Sequence, residues 1–79
     1  MKLEGSGAYE PEKDPRNITK QGILVKAGQI WRDLDHRQDG RTVEVLYCHS
    51  GTAVVKGARR SELSIRRMHD HSTGWMLVR

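Results

Sequence analysis

From Ile23 to the C-terminus, short stretches with an apolar residue at every second position alternate with glycine-containing links. An apolar period of two places successive side chains on opposite faces of a β-strand. No window carries a 3.6-residue apolar stripe of helical length. The pattern therefore predicts an all-β fold with five strands, at residues 29–34, 42–47, 52–56, 62–66 and 75–78.

Five short strands within about 50 residues are expected to curl into a small barrel, because closure protects the edge strands. A first strand, a longer link at residues 35–40, three strands in meander order and a short last strand fit an SH3-like barrel. An OB-fold generally needs longer strands and a helix that is not found here. The predicted core consists of the apolar residues on the inner strand faces: Val43, Val45, Val55, Leu63, Ile65 and Leu77.

The first 22 residues differ from the rest of the chain in composition. Charged residues, Pro and Gly dominate this segment, and its apolar side chains are scattered. Such a segment buries too little apolar surface to offset the entropy lost on ordering. We therefore predict a disordered N-terminal arm at residues 1–22 and a small β-barrel domain at residues 23–79.

The positive charge is concentrated near the C-terminus. Basic and acidic side chains balance within residues 1–22 and within residues 23–50, so the formal net charge of +4 lies in residues 51–79. Such segregation favours an anionic partner, and the planar guanidinium of arginine suits phosphate oxygens. The alternative is a solubilising strand edge that resists aggregation. The candidate nucleic-acid-binding residues are Lys56, Arg59, Arg60, Arg66 and Arg67.

The small size of the chain argues against an enzyme. With 79 residues, 35% of them hydrophobic and none of them Phe, the core can hardly supply the walls of a catalytic cleft. We expect no catalytic residues and no cofactor. The single cysteine, Cys48, is typical of a reducing compartment. Without a ~20-residue apolar run or a signal-peptide core, a cytoplasmic location and no membrane contact are expected.

Two groups of polar residues are candidates for metal or catalytic sites. His69 and His71 could join Cys48 around a metal, but zinc needs three or four converging ligands and a CxxC spacing is missing. The carboxylates of residues 33–39 could bind Mg²⁺ or act as acid and base. The same residues match ordinary turn chemistry, in which Asp caps its own backbone. We therefore expect no metal site.

Exposed aromatic side chains provide stacking platforms for single-stranded nucleic acid. Tyr9 lies in the predicted arm, and Trp31, Tyr47 and Trp75 lie in predicted strands. Because Phe is absent, we expect both tryptophans to fill the core. Few aromatic side chains then remain for bases, which favours contact with a duplex or with the phosphate backbone.

Two stretches carry a resemblance to known proteins. GQIWRDLDHRQDGRTVEV at residues 28–45 and STGWMLV at residues 72–78 resemble small proteins that recur in bacteriophage and prophage genomes. This resemblance covers about residues 25–79 and implies a phage-derived compact β domain, without implying any chemistry. VKAGQI at residues 25–30 also resembles the start of KOW-type SH3-like modules, in which a Gly-led strand and a basic loop meet nucleic acid.

Two functions are compatible with these features. The first is a non-catalytic binding module that contacts nucleic acid or a nucleoprotein complex through the basic surface. The second is a protein–protein adaptor or inhibitor of a host factor. It would act through an exposed sheet edge or through the acidic loop at residues 33–39.

Overall fold

The computed structural model describes residues 8–79, and residues 1–7 of the predicted arm lie outside the described residues. Five antiparallel strands form one sheet, and no α-helix occurs within residues 8–79, which confirms the all-β prediction. None of the helical turns described here is long and apolar enough to cross a membrane. The strands are β1 (Ile30–Asp33), β2 (Thr42–His49), β3 (Thr52–Lys56), β4 (Arg60–Ser64) and β5 (Trp75–Leu77). The 3-10 turns are Pro11–Lys13, Pro15–Asn17, His36–Gln38 and Ile65–Arg67.

The strands lie in the order β4-β3-β2-β1-β5 across the sheet. Strands β1 to β4 form a meander of antiparallel neighbours, and β5 returns to pair with β1, where Leu77 lies opposite Trp31. The β2–β3 hairpin is closed by Ser50 and Gly51, whose φ angles are 51° and 89°. Positive φ at both positions is the requirement of a two-residue type I′ turn, and glycine meets it without strain.

Strand β1 is one residue shorter than predicted at each end and β5 at its C-terminal end, whereas β4 and β2 differ from their predicted bounds by two residues. The predicted strand at residues 62–66 is displaced, because β4 already begins at Arg60, which lies opposite Lys56. It ends before Ile65, whose N–H donates to the Gly51 carbonyl and which starts a 3-10 turn. The other difference is a β-bulge in β2, where the register shifts between Val45 and Tyr47. The extra residue reverses the side-chain alternation beyond it and lengthens β2 to His49.

The core lies on one face of the sheet and contains both tryptophans, as predicted. Of the six predicted core residues, four are buried, whereas Leu63 and Leu77 are half-buried and pack against the core. The single polar group of Trp31 is satisfied, since its Nε1 donates to Gln29 Oε1 at 3.1 Å. The core also includes side chains outside the predicted set, namely Val25, Cys48, Ala53 and Met68.

Residues 8–22 contact the β2–β3 hairpin through polar side chains. Asn17 is fully buried, and its Oδ1 accepts a hydrogen bond from the Gly51 N–H at 2.8 Å. The Tyr9 hydroxyl accepts from the Ser50 N–H at 2.7 Å and donates to Asp14 Oδ2 at 2.7 Å. The predicted disorder of residues 1–22 stays a prediction. For residues 8–22 these contacts support the alternative hypothesis, that the segment folds with the sheet.

Candidate basic surface

The five candidate cations border the edge strand β4 in two groups. Lys56 and Arg60 are opposite one another where the β3–β4 hairpin closes, and Arg59 precedes Arg60 in the connecting turn. Arg66 and Arg67 follow the other end of β4, in the turn Ile65–Arg67. Four steps of ~3.4 Å along β4 separate its two ends by roughly 14 Å. We call the first group the hairpin cations and the second group the turn cations.

All five candidate cations are exposed, and none forms an ion pair with another described residue. Elsewhere in residues 8–79, Arg16, Arg37 and Arg41 are held by nearby carboxylates, whereas Arg32 and Arg79 have no ion pair with a described residue. Arg16 contacts Asp14 at 2.8 Å, and Arg37 contacts Asp35 at 2.7 Å. The five candidate cations therefore form a group of positive charges along β4 that no described carboxylate neutralises.

The outer face of the sheet carries polar and aromatic side chains beside these cations. Directly opposite residues of antiparallel strands share a face, so the register defines rows that run across β4, β3 and β2. One row ends at the hairpin cations, and the next two lie closer to the β2–β3 turn. The three rows are Arg60–Lys56–Glu44, Glu62–Val54–Tyr47 and Ser64–Thr52–His49.

Two tyrosines contribute to this outer face. Tyr47 is 52% exposed, and Tyr9 is 39% exposed with its ring centroid 4.4 Å from that of His49. Strict alternation from Val45 would place Tyr47 inside the sheet, and the bulge at Leu46 turns it outward instead. Sequence reasoning missed this surface because a bulge leaves no mark in an apolar alternation. Tyr9 lies in the predicted arm, where strand alternation cannot place its ring beside the sheet.

In the acidic loop at residues 33–39, carboxylates accept hydrogen bonds from nearby backbone N–H groups and arginine side chains. Asp33 accepts hydrogen bonds from the Asp35 N–H at 3.0 Å and from Arg41 Nε at 2.8 Å. Asp35 accepts from the Arg37 N–H and from the Arg37 guanidinium, which lowers the pKa of Asp35 to about 2. These hydrogen bonds are those of a turn in which Asp side chains cap the nearby backbone. They leave it less negative than its sequence suggests.

The histidines lie in the loop before β5. The rings of His69 and His71 have centroids 4.3 Å apart. Desolvation lowers the pKa of His69, and the charge of the neighbouring His71 lowers it further. Cys48 is buried in the core, where desolvation raises its pKa to about 11. Within residues 8–79 no three His, Cys, Asp or Glu side chains are arranged to hold a metal ion.

Comparison of the chain with protein families, with curated proteins and with solved structures found no match. The phage-type and KOW-type resemblances therefore stay predictions from the sequence. The case for a function depends on the charge and shape of the surface described above.

Proposed function

We propose that the protein is a non-catalytic binding module that contacts nucleic acid, or a nucleoprotein complex, through the hairpin and turn cations. The observation that supports this proposal is the contrast between two sets of cations. Those that border β4 are exposed and have no ion pair with a described residue, whereas Arg16, Arg37 and Arg41 are held by local carboxylates. A phosphate backbone supplies closely spaced negative charges, and its neutralisation by Lys and Arg releases condensed counterions.

We further propose that the sheet closes into an SH3-like barrel of phage origin. The strand order β4-β3-β2-β1-β5, in which the last strand returns beside the first, supports the barrel. Closure would shield the backbone groups of the edge strands β4 and β5. The phage origin is supported by the sequence resemblance at residues 28–45 and 72–78. Both statements concern the scaffold, and the binding function does not depend on them.

A protein–protein adaptor or host-factor inhibitor is the second candidate, and one feature favours it. Among the described residues, β4 pairs on one side only, with β3, and a sheet that stays open would leave its other edge for strand addition. The acidic loop supports this alternative less well, because Asp33 and Asp35 are already bound by Arg41 and Arg37. The charge on β4 also guards this edge against pairing.

A salt titration tests the proposed function. Binding to duplex DNA, single-stranded DNA and RNA is measured by fluorescence anisotropy at several salt concentrations. On duplex DNA each phosphate contact contributes about −0.9 to the log–log slope, so four or five contacts give a slope near −4. The double variant Arg59→Ala/Arg60→Ala should flatten this slope by up to ~2. Both residues are exposed, so the fold should persist.

The matched control removes two positive charges elsewhere, in Arg32→Ala/Arg37→Ala. Its slope should change much less than that of the hairpin variant. Two results would contradict the proposal. One is the absence of binding to any nucleic acid at ~50 mM salt, where electrostatic binding is strong. The other is an equal effect of the two double variants, which would indicate a response to net charge alone. Either result would leave the protein-partner function as the leading candidate.

A further inference from the structure

The outer face of β2 and β3 carries a shallow depression that is suited to a flat ring. Its lining includes Tyr47, His49, Thr52, Val54 and Glu62. Val54 belongs to the outward-facing row yet is only 6% exposed, because its neighbours cover it. Tyr47, by contrast, exposes half of its surface beside this apolar floor. A planar group that enters the depression can therefore contact the exposed ring of Tyr47, with Val54 among the lining residues.

A second aromatic position lies next to the depression and is held in place. The Tyr9 hydroxyl makes three hydrogen bonds, to Asp14, Asn17 and the Ser50 N–H, at 2.7, 3.0 and 2.7 Å. Its ring lies against His49 at an interplanar angle of 38°. A ring fixed in this way loses little further rotamer freedom when a ligand stacks on it, which favours binding.

Positive charge lies at both ends of this aromatic surface. Lys56 and Arg60 form the row beyond Val54, on the side of the β3–β4 hairpin. On the side of the β2–β3 turn, Arg16 and Arg66 line a neighbouring depression together with Thr52. Arg66 has no ion pair with a described residue, whereas Arg16 is held by Asp14. The cations thus flank the rings instead of covering them.

Glu62 lies between the two positive ends, on the same row as Val54 and Tyr47. A phosphate would be repelled at this position. The edge of a base would bind favourably there, because the Glu62 carboxylate can accept a hydrogen bond from an exocyclic amino group such as cytosine N4. The charges along the face therefore favour phosphates at its ends and bases over its middle.

On the basis of the proposed function, we infer that the bound nucleic acid is single-stranded. It crosses the outer face of β2, β3 and β4, with bases stacked on Tyr47 and on the Tyr9–His49 pair. A duplex keeps the faces of its bases inside the helical stack, whereas a single strand can place them on aromatic side chains. This inference replaces the expectation of duplex or backbone contact, which rested on the small number of aromatic residues in the sequence.

The test compares a labelled single strand of about 12 nucleotides, as DNA and as RNA, with the DNA duplex of the same sequence. Wild-type protein should bind the single strand more tightly than the duplex at equal salt. Tyr47→Ala should weaken single-strand binding roughly 5- to 150-fold, the loss expected for one stacked base, and should leave duplex binding unchanged. Tyr47→Phe keeps the ring and should bind like wild type.

Tyr47→Leu separates stacking from packing, because leucine still covers Val54 but has no aromatic face. Its melting temperature is compared with that of wild type, and its single-strand binding should fall as in Tyr47→Ala. Unchanged single-strand binding by the leucine variant would overturn the inference. So would equal affinity for single strand and duplex. In both cases, sensitivity to Arg59→Ala/Arg60→Ala would keep the proposed function intact. Absence of binding to every nucleic acid would refute both.

Discussion

Replacing Asn17 with alanine tests whether residues 8–22 fold with the sheet. The Asn17 side chain is fully buried and uses both ends of its amide. Its Nδ2 donates to the Pro11 carbonyl and to the Tyr9 hydroxyl, both at 3.0 Å, and its Oδ1 accepts from the Gly51 N–H at 2.8 Å. The side chain thus connects a 3-10 turn of the N-terminal segment to the turn between β2 and β3.

The expected loss of stability follows from these bonds. A typical intramolecular hydrogen bond contributes about 1 kcal/mol net, so three bonds amount to about 3 kcal/mol. The Tyr9 hydroxyl keeps Asp14 and Ser50 as partners, so the loss falls mainly on Pro11 and Gly51. We therefore expect Asn17→Ala to lower the free energy of unfolding by about 2–3 kcal/mol. A core of this size rarely supplies more than about 3–5 kcal/mol, so the variant should be close to unfolding.

Urea unfolding followed by tryptophan fluorescence measures this change, because Trp31 and Trp75 are both buried. The matched control is Glu12→Ala, an exposed position of the same segment, where a change within about 0.5 kcal/mol is expected. Asn17→Asp keeps the acceptor for Gly51 and removes the donor to Pro11, so it should be destabilising as well. An effect of Asn17→Ala as small as that of Glu12→Ala would refute the reasoning. Residues 8–22 would then behave as the arm that composition predicts. Heteronuclear relaxation of the wild-type amides of Tyr9 and Asn17 gives an independent measurement of the same point.

Two further predictions concern stability. Val45→Ala should cost about 1–3 kcal/mol of unfolding free energy through lost burial and packing, and an unchanged melting temperature would show that the inner face is misassigned. Arg16 holds the pKa of Asp14 below its usual range, and Arg37 lowers that of Asp35 to about 2. Since both folded pKa values lie below the unfolded value, their contribution is complete above about pH 4 and is lost as the pH falls toward 2. Urea unfolding at several acidic pH values, with Arg37→Ala as the variant that reduces the loss, checks this.

Most of the sheet could be predicted from apolar alternation and from the positions of glycine. The strand at residues 52–56 has the predicted bounds, because Gly51 and Gly57 flank it and the β-branched residues between them favour a strand. The inward positions of Val43, Val45 and Val55 follow from the same alternation. Such features are local, and a single sequence carries them directly.

The features that could not be predicted depend on contacts between distant residues. Ile65 keeps its inward position but starts a 3-10 turn instead of continuing β4, although its N–H still bonds to the Gly51 carbonyl next to β3. Met68 is fully buried within a polar stretch of sequence. The overall composition of residues 1–22 likewise does not indicate that Asn17 is buried, because this burial depends on contact with the distant β2–β3 turn. Asp14 before Pro15 was a local signal, since its side chain caps the turn by accepting from the Arg16 N–H.

The bulge in β2 links the fold to the proposed surface. Had the ladder stayed regular, Tyr47 would have followed Val43 and Val45 into the core, and the outer face would have lacked its most exposed aromatic side chain. The bulge leaves Leu46 without a partner on β3. The packing of the core does not require this pairing. Bulges often reorient a side chain near a functional site. Because the tryptophans already fill the interior, the chain can place a tyrosine outside, beside cations that no described carboxylate neutralises. The same irregularity that defeats prediction from alternation therefore places Tyr47 where the proposed base stacking requires it.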